Sequence, residues 1–301
     1  MAKKGTLIVL VGPTGIGKTS LSLDWAEALD APIISADSRQ LYRELSIGTA
    51  APSKEELCRV PHYMVGVASI SEHYSAARYE AEVIPLIESL LQKHRYVLLV
   101  GGSMLYIDAI IKGIDDVPDV AEDVRQTLYQ RWQQEGLEPI LKELKEVDPL
   151  YYNTVDKKNH KRVIHGLEIF YSSGKPFSSF RTHQVKERSF DMICFELTRP
   201  REELYERING RVHQMLEAGW LEEARALYPF RHLNALNTIG YKELFNYIGG
   251  HCSLDEAVQQ IARNTRIYAR KQMTWFKKSD FYIRVPATIS CEELSSYLPP
   301  R

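Results

Sequence analysis

An eight-residue stretch near the amino terminus constrains this chain more than any other feature. It fits the pattern G-x-x-x-x-G-K-[ST], and its residues are Gly12, Pro13, Thr14, Gly15, Ile16, Gly17, Lys18 and Thr19. An apolar run, Thr6–Val11, precedes this P-loop and a helical sequence follows it, as the pattern requires. The glycines let backbone N–H groups surround phosphate oxygens, Lys18 reaches a terminal phosphate, and Thr19 offers a hydroxyl to Mg²⁺. The P-loop therefore predicts a site for a diphosphate-like group.

Short runs rich in Val, Ile and Leu alternate with helical stretches, which is typical of a parallel sheet. The predicted strands are Thr6–Val11, Pro32–Ala36, Tyr96–Val100, Asp191–Leu197 and Phe281–Val285. We expect an α/β fold, a P-loop NTPase-like parallel sheet flanked by helices.

The segment between the third and fourth strands is predicted to be helical throughout, with helices at Val124–Gln134, Glu138–Glu146 and Lys161–Tyr171. We interpret residues 121–188 as a helical insertion domain. Residues 1–120 and 189–301 then form the core that carries the P-loop. Ser253 and Glu256 form a capping-box pattern that predicts a further long helix near the carboxyl terminus.

A P-loop NTPase usually has a Mg²⁺-binding Asp at the end of a second apolar strand. Here that strand ends in Gly101-Gly102-Ser103, and the available acid is Asp37, after the strand that ends at Ala36. Because the carboxyl ends of parallel strands meet at one crevice, the P-loop, Asp37 and Gly101–Ser103 should converge. Asp37 could accept a proton from a nucleophile there, or it could simply cap a turn. Arg207 and Arg211, one helical turn apart, could contact the diphosphate or form surface ion pairs.

The net charge is close to zero, with 38 Lys and Arg against 39 Asp and Glu in 301 residues. This balance argues against a protein that coats nucleic acid indiscriminately. The charges are nevertheless segregated, because 156–188 has eight bases against three acids and 257–284 has seven bases against one acid. In the second block Arg263, Arg266, Arg270 and Lys277 share one helix face. This basic stripe is either a contact for a phosphate backbone or a solvated surface.

The four cysteines form no C-x-x-C pair, and the apolar run before Gly12 is too short for a signal peptide or a membrane-spanning helix. We therefore expect a cytoplasmic protein without a membrane partner.

The chain resembles the tRNA dimethylallyltransferases over nearly its whole length. The blocks that carry the resemblance occur in the family's order, and they are GPTGIGKT, ISADSRQLYRELSIGTAAPS, LLVGGSMLYIDAI, KRVIHGLEIFYSSGKP, RINGRVHQMLEAGWLEEARAL, NTIGYKEL and NTRIYARKQMTWFKK. The resemblance implies transfer of a dimethylallyl group from dimethylallyl diphosphate to N6 of the adenosine 3′ of the anticodon, position 37 of tRNAs that read codons starting with U.

The resemblance also implies roles for individual residues. Asp37 would act as general base, Lys18 and Thr19 would contact the diphosphate and Mg²⁺, and Arg211 would contact the leaving diphosphate. Ser103, where the family usually has Thr, would belong to the catalytic group. The residues expected to contact tRNA are Asp37, Ser38, Arg39, Gln40, Ser103, Arg125, Lys161, Arg162, Val163, Ile164, His165, Asn237, Thr238, Ile239, Gly240, Tyr241 and Lys242.

The chain departs from the family at two of these positions, since His165 stands where Arg is common and Asn237 where a longer polar residue is frequent. It lacks the carboxyl-terminal Cys/His finger of eukaryotic members, which favours a bacterial-type enzyme, expected to be a monomer. The alternatives are a P-loop small-molecule kinase that uses ATP, and a non-catalytic RNA-binding GTPase-like switch. The switch is disfavoured because no N-K-x-D motif is present.

Overall fold

The structure, a computed structural model, describes residues 5–182 and 184–299. The chain divides into two compact units, Met1–Ile111 with Glu187–Arg301, and Lys112–Lys186. The second unit begins directly after a helix that ends at Ile111, so its bounds differ from the predicted 121–188.

A six-stranded parallel sheet forms the centre of the first unit. Its strands are β1 (Thr6–Val11), β2 (Ile33–Ala36), β3 (His62–Tyr63), β4 (Tyr96–Gly101), β5 (Asp191–Thr198) and β6 (Tyr282–Pro286). They lie in the order β3-β2-β4-β1-β5-β6, and every pairing is parallel. The predicted fold class is confirmed, and each of the five predicted strands lies within one residue of its predicted ends.

Helices account for most of the remaining structure. In chain order they are α1 (Lys18–Leu29), α2 (Lys54–Arg59), α3 (Ala76–Leu90), α4 (Met104–Ile111), α5 (Glu122–Glu135), α6 (Glu138–Val147), α7 (Pro149–Thr154), α8 (His160–Ser173), α9 (Phe177–Phe180), α10 (Arg201–Glu217), α11 (Trp220–Leu227), α12 (Tyr241–Ile248), α13 (Leu254–Lys277) and α14 (Cys291–Ser295). Two short 3₁₀ turns, Tyr228–Phe230 and Asn234–Leu236, precede α12.

The sheet is covered on both faces, which explains why β1 is apolar at nearly every position. Leu7, Val9 and Val11 belong to one hydrophobic core, and the alternate residues Ile8 and Leu10 belong to the other. The first core includes side chains of α3, α4, α12 and α13, and the second includes those of α1 and α10. The sheet is thus buried between two cores, and the loops that follow β1, β2 and β4 begin from buried residues.

The long carboxyl-terminal helix α13 begins as its sequence predicts. Ser253 Oγ accepts the N–H of Glu256 at 3.2 Å, and Glu256 Oε2 accepts the N–H of Ser253 at 2.8 Å. The reciprocal pair satisfies two backbone donors that a helix start otherwise leaves without partners.

The second unit is helical, from α5 to α9, around its own core. That core contains Leu128, Ile140, Leu144, Tyr151, Val155, Val163, Ile164 and Leu167. Asp148 is buried and accepts backbone N–H groups from Tyr151 on α7 and Ser178 on α9, at 3.0 and 2.8 Å. One carboxylate therefore links two short helices of the unit.

Across residues 5–182 and 184–299, no helix is both long and apolar enough to span a bilayer.

Candidate active site

The P-loop passes from β1 to α1 through two glycines with positive φ. Gly15 has φ 81° and Gly17 has φ 109°, values in the left-handed region that side chains disfavour. A Cβ on Gly15 would also lie 2.9 Å from the side chain of Ile208 on α10. The loop thus has the curled backbone that a phosphate-binding turn requires.

Lys18, the first residue of α1, points back across the P-loop. Its Nζ donates to the carbonyl oxygens of Gly12 and Pro13, both at 2.9 Å. Burial lowers the pKa of Lys18 from 10.5 to about 8; the charge of Asp37 raises it and that of Arg211 lowers it. Lys18, Asp37 and Arg211 are therefore close enough for their charges to interact, although they are far apart in the chain.

Asp37 directly follows β2, and a turn orients its carboxylate. Oδ1 accepts the N–H of Arg39 at 2.8 Å and that of Gln40 at 3.3 Å. Oδ2 accepts no hydrogen bond from any residue that the structure describes. Capping the turn and accepting a substrate proton are thus compatible, because the two tasks use different oxygens.

Ser103 follows β4 and fastens the Asp37 turn to that strand. Its buried Oγ accepts the N–H of Ser38 at 2.8 Å and donates to Ser38 Oγ at 3.1 Å. Its own N–H donates to Ala36 O at 3.1 Å. Ser103 therefore holds the turn that orients Asp37.

The two glycines at the end of β4 allow three loops to meet. A Cβ on Gly101 would overlap the backbone of Ala36, and a Cβ on Gly102 would overlap the side-chain amide of Gln272. The predicted convergence of the P-loop, Asp37 and Gly101–Ser103 is therefore confirmed, and the glycines mark where strand ends approach closely.

Arginines from α10 and the preceding loop add positive charge beside the P-loop. Arg207 Nε donates to Gly15 O at 2.8 Å, and Arg199 Nε donates to Ile16 O at 3.3 Å. Burial lowers the pKa of Arg211, which the charge of Asp37 raises and that of Arg207 lowers. Arg211 has no ion-pair partner within the described part of the chain. A partly buried guanidinium without a direct ion-pair partner favours an anionic ligand.

The residues after Asp37 are held by the fold to different degrees. Arg39 donates to Ala235 O at 3.0 Å. The Gln40 amide accepts from Ser35 Oγ of β2 at 3.1 Å and donates to Ala50 O of the following loop at 3.0 Å, so both of its ends are bonded within the protein. Gln40 therefore shapes the loop from within.

The predicted stretch 237–242 joins the second 3₁₀ turn to α12. Asn237 and Lys242 are exposed, whereas Gly240 and Tyr241 are buried. The Tyr241 hydroxyl donates to Glu223 Oε1 at 2.5 Å. Asn237 and Lys242 thus present exposed side chains at this surface, and Thr238 and Ile239 present partly exposed ones.

In the second unit, two predicted RNA contacts share one buried carboxylate. Glu168 accepts from Arg125 Nε at 3.1 Å and lies 3.0 Å from His165 Nδ1. Burial raises the pKa of Glu168, but His165 and Arg125 outweigh it and lower the pKa overall. Val163 and Ile164 are completely buried, so the side chains that reach the surface of this stretch are Lys161, Arg162 and, in part, His165.

The residues at the P-loop fit a Mg²⁺ ion held mainly by a bound diphosphate. Among the described residues no group of three or more His, Cys, Asp or Glu side chains could hold a metal. Thr19 lies in the first turn of α1, and its hydroxyl makes no hydrogen bond within the described chain. Mg²⁺ commonly takes few protein oxygens and completes its shell with phosphate oxygens and water.

Sequence reasoning missed two residues of α13 that face this site. The pKa of Tyr268 is raised to about 12, mainly by burial. The charge of Asp37 also raises this pKa and that of Arg39 lowers it, so the phenol lies near the Asp37 turn. Gln272 is buried and bonds to the P-loop and to Gly102. Its signal is its spacing, since it lies three residues after buried Ala269 and four before buried Phe276.

Comparison with known proteins identifies the family of this chain. A sequence model described as IPP transferase matches residues 40–279. The chain is 59% identical over 273 residues, 91% of each chain, to tRNA dimethylallyltransferase 2 of Porphyromonas gingivalis. It superposes on the tRNA isopentenylpyrophosphate transferase of Bacillus halodurans with a TM-score of 0.71 and 33% identity, covering 97% of this chain and 95% of that one. A eukaryotic dimethylallyltransferase acting on tRNA gives a TM-score of 0.81 at 26% identity, covering 94% of this chain and 74% of that one. The chain therefore belongs to the IPP transferase family.

Proposed function

We propose that this protein is a tRNA dimethylallyltransferase, a prenyl transferase that acts as a cytoplasmic monomer. It transfers the dimethylallyl group of dimethylallyl diphosphate to N6 of the adenosine 3′ of the anticodon in tRNAs that read codons starting with U. The products are N6-(dimethylallyl)adenosine in tRNA and diphosphate. The observation that carries this proposal is Arg211, a partly buried cation without a direct ion-pair partner in the described chain, whose charge acts on Lys18 at the P-loop and is itself influenced by Asp37.

The diphosphate would bind to the P-loop, residues 12–19. Its backbone N–H groups, the Lys18 ammonium and the Arg211 guanidinium supply positive charge where the leaving group becomes more negative. Thr19 and the diphosphate oxygens would hold Mg²⁺, which neutralises part of the leaving-group charge when bound.

The adenine would enter the crevice at the Asp37 turn. A base in an anticodon loop has to leave its stack before it can react, which costs a few kcal/mol and less in a loop than in a duplex. The N6 nitrogen forms a bond to the allylic carbon as the bond from that carbon to the diphosphate oxygen breaks. Asp37 Oδ2 takes the proton that N6 loses, while Oδ1 remains in the turn.

Two surfaces of the chain would contact tRNA. In the first unit these are the Asp37–Gln40 turn with Ser103 and the exposed members of 237–242. In the second unit they are Lys161, Arg162, His165 and Arg125, of which Lys161 and Arg162 are exposed cations that suit a phosphate backbone.

The test is nucleoside mass analysis of tRNA after incubation with the protein, Mg²⁺ and dimethylallyl diphosphate. Prenylated adenosine at the position 3′ of the anticodon is expected. Thermal unfolding with ligands provides the control, because a ligand that binds the folded state raises the melting temperature. Stabilisation by ATP but not by dimethylallyl diphosphate, with unmodified tRNA, would favour the small-molecule kinase instead.

A further inference from the structure

Gln272 connects α13 to two loops of the active site. It is 2% exposed, and both ends of its amide are hydrogen-bonded. Oε1 accepts the N–H of Thr14 in the P-loop at 2.9 Å, and Nε2 donates to Gly102 O after β4 at 2.8 Å. A buried amide is costly unless it is bonded in this way, so the two partners determine the orientation of the side chain.

The contact with Thr14 lies in the first half of the P-loop, which also binds the ammonium group of Lys18. The Lys18 ammonium bonds to the carbonyl oxygens of Gly12 and Pro13, the two residues before Thr14. Gly102 lies close to Gly12, since a Cβ on Gly102 would lie 3.2 Å from Gly12 O. Gln272 therefore links the P-loop to the end of β4, next to the two carbonyl groups that accept hydrogen bonds from Lys18.

We propose that Gln272 is a positioning residue of the diphosphate site. It fixes the first half of the P-loop against the end of β4, so that Lys18 and the following backbone N–H groups are placed before the diphosphate arrives. It acts through the loop and does not touch the substrate. This inference rests on the assignment of the P-loop to the diphosphate of the prenyl donor.

Two substitutions distinguish the hydrogen bonds of Gln272, which position the P-loop, from the space that its side chain fills in the core. Gln272→Met keeps the length of the side chain and removes both hydrogen bonds. Gln272→Glu keeps an acceptor for Thr14 but sets a carboxylate oxygen against Gly102 O. Each variant should raise the KM for dimethylallyl diphosphate about 10-fold, because small misplacements of binding groups are costly, with the KM for tRNA unchanged. The matched control is Gln260→Met, an exposed glutamine on the same helix, which should leave both constants unchanged.

Hydrogen exchange at the Thr14 amide tests the same geometry without a measurement of activity. The Thr14 amide should be protected in the ligand-free protein and should lose that protection in Gln272→Met. Exchange of the wild-type Thr14 amide at the rate of an open loop would overturn the proposal. A folded Gln272→Met or Gln272→Glu variant with wild-type KM for the donor would overturn it as well. A wild-type protein that does not prenylate tRNA would instead refute the proposed function.

Discussion

At the scale of single residues, the two carboxylate oxygens of Asp37 have separable tasks. Asp37→Asn keeps the oxygen that accepts from Arg39 and Gln40, so the turn should persist while the base is lost. We expect the single-turnover rate of prenyl transfer to fall about 10²- to 10⁴-fold, with tRNA affinity retained. Rapid-quench kinetics with bound tRNA measure this step.

The matched control for this change is Asp30→Asn. Asp30 caps the carboxyl end of α1 and has φ 49°, which asparagine also tolerates. It precedes the amino end of β2, whereas Asp37 follows the carboxyl end of that strand. That variant should react at the wild-type rate. An Asp37→Asn enzyme that is equally fast would remove Asp37 from proton transfer.

Lys18 makes binding of the donor dependent on pH. Its pKa of about 8 in the free protein lies below its ordinary value of 10.5, so it loses its charge as the pH rises through 8. A bound diphosphate favours the charged form, and binding should therefore take up about half a proton at pH 8 and close to one at pH 9. Affinity for dimethylallyl diphosphate should fall over that interval.

Titration calorimetry in buffers of different ionisation enthalpy measures the proton uptake. Lys18→Met provides the control, since its weaker binding should show no uptake above pH 8. Proton uptake that is the same in Lys18→Met and in the wild type would assign the titration to another group.

Residues whose chemistry is local in the chain could be predicted, and residues that act across the fold could not. Lys18 and Thr19 belong to a local sequence motif, and Asp37 directly follows a strand that the apolar pattern reveals. Gln272 has partners 258 and 170 residues away, and a glutamine at a buried helical position does not indicate which loop it will meet. For the same reason the prediction that Gln40 contacts RNA does not reveal that its amide is bonded to Ser35 of β2 and to Ala50.

At the scale of elements, two helical glycines have opposite roles. A Cβ on Gly166 of α8 would lie 2.9 Å from the side chains of Leu144 and Tyr151, whereas a Cβ on Gly210 of α10 meets nothing within 4 Å. Gly210→Ala should therefore raise the free energy of unfolding by about 0.5–1 kcal/mol, because alanine favours a helix. Gly166→Ala should lower it by about 1 kcal/mol or more, since overpacking exceeds that gain.

Thermal and urea unfolding of the two alanine variants measure the predicted increase and decrease in the free energy of unfolding in the same protein. Destabilisation by Gly210→Ala, or stabilisation by Gly166→Ala, would contradict the packing described here.

Elements with long apolar patterns were predictable, and the others depend on tertiary contacts. Four of the five predicted strands, β1, β2, β4 and β5, contain a run of buried residues, and in β6 only Tyr282 and Val285 are buried. β3, with only His62 and Tyr63, exists because it pairs with Ile33 and Ile34 of β2. Along α13, helical spacing correctly places Arg263, Arg266 and Arg270 near one another. It does not show that Arg266 bonds to Asn209 of α10 at 2.6 Å.

At the scale of the whole molecule, near-zero net charge is compatible with an RNA partner because the charges are segregated. Of the basic stripe on α13, Arg263 and Arg270 are exposed and have no ion-pair partner within the described residues. A protein that neutralises RNA phosphates releases counterions, and its affinity falls steeply with salt. The stripe is therefore predicted to account for part of the salt dependence of tRNA binding.

The double variant Arg263→Ala, Arg270→Ala should bind tRNA more weakly and reduce the slope of log K against log salt by about 1 to 2. Arg266 is left in place because its bond to Asn209 belongs to the packing of α10 on α13. Lys93→Ala is the matched control. Exposed Lys93 precedes the amino end of β4, whereas Asp37 lies at the carboxyl ends of the strands. Filter binding at several salt concentrations measures all three proteins. A slope that is unchanged in the double variant would make the stripe a solvated surface and leave tRNA recognition to the Asp37 turn and to the second unit.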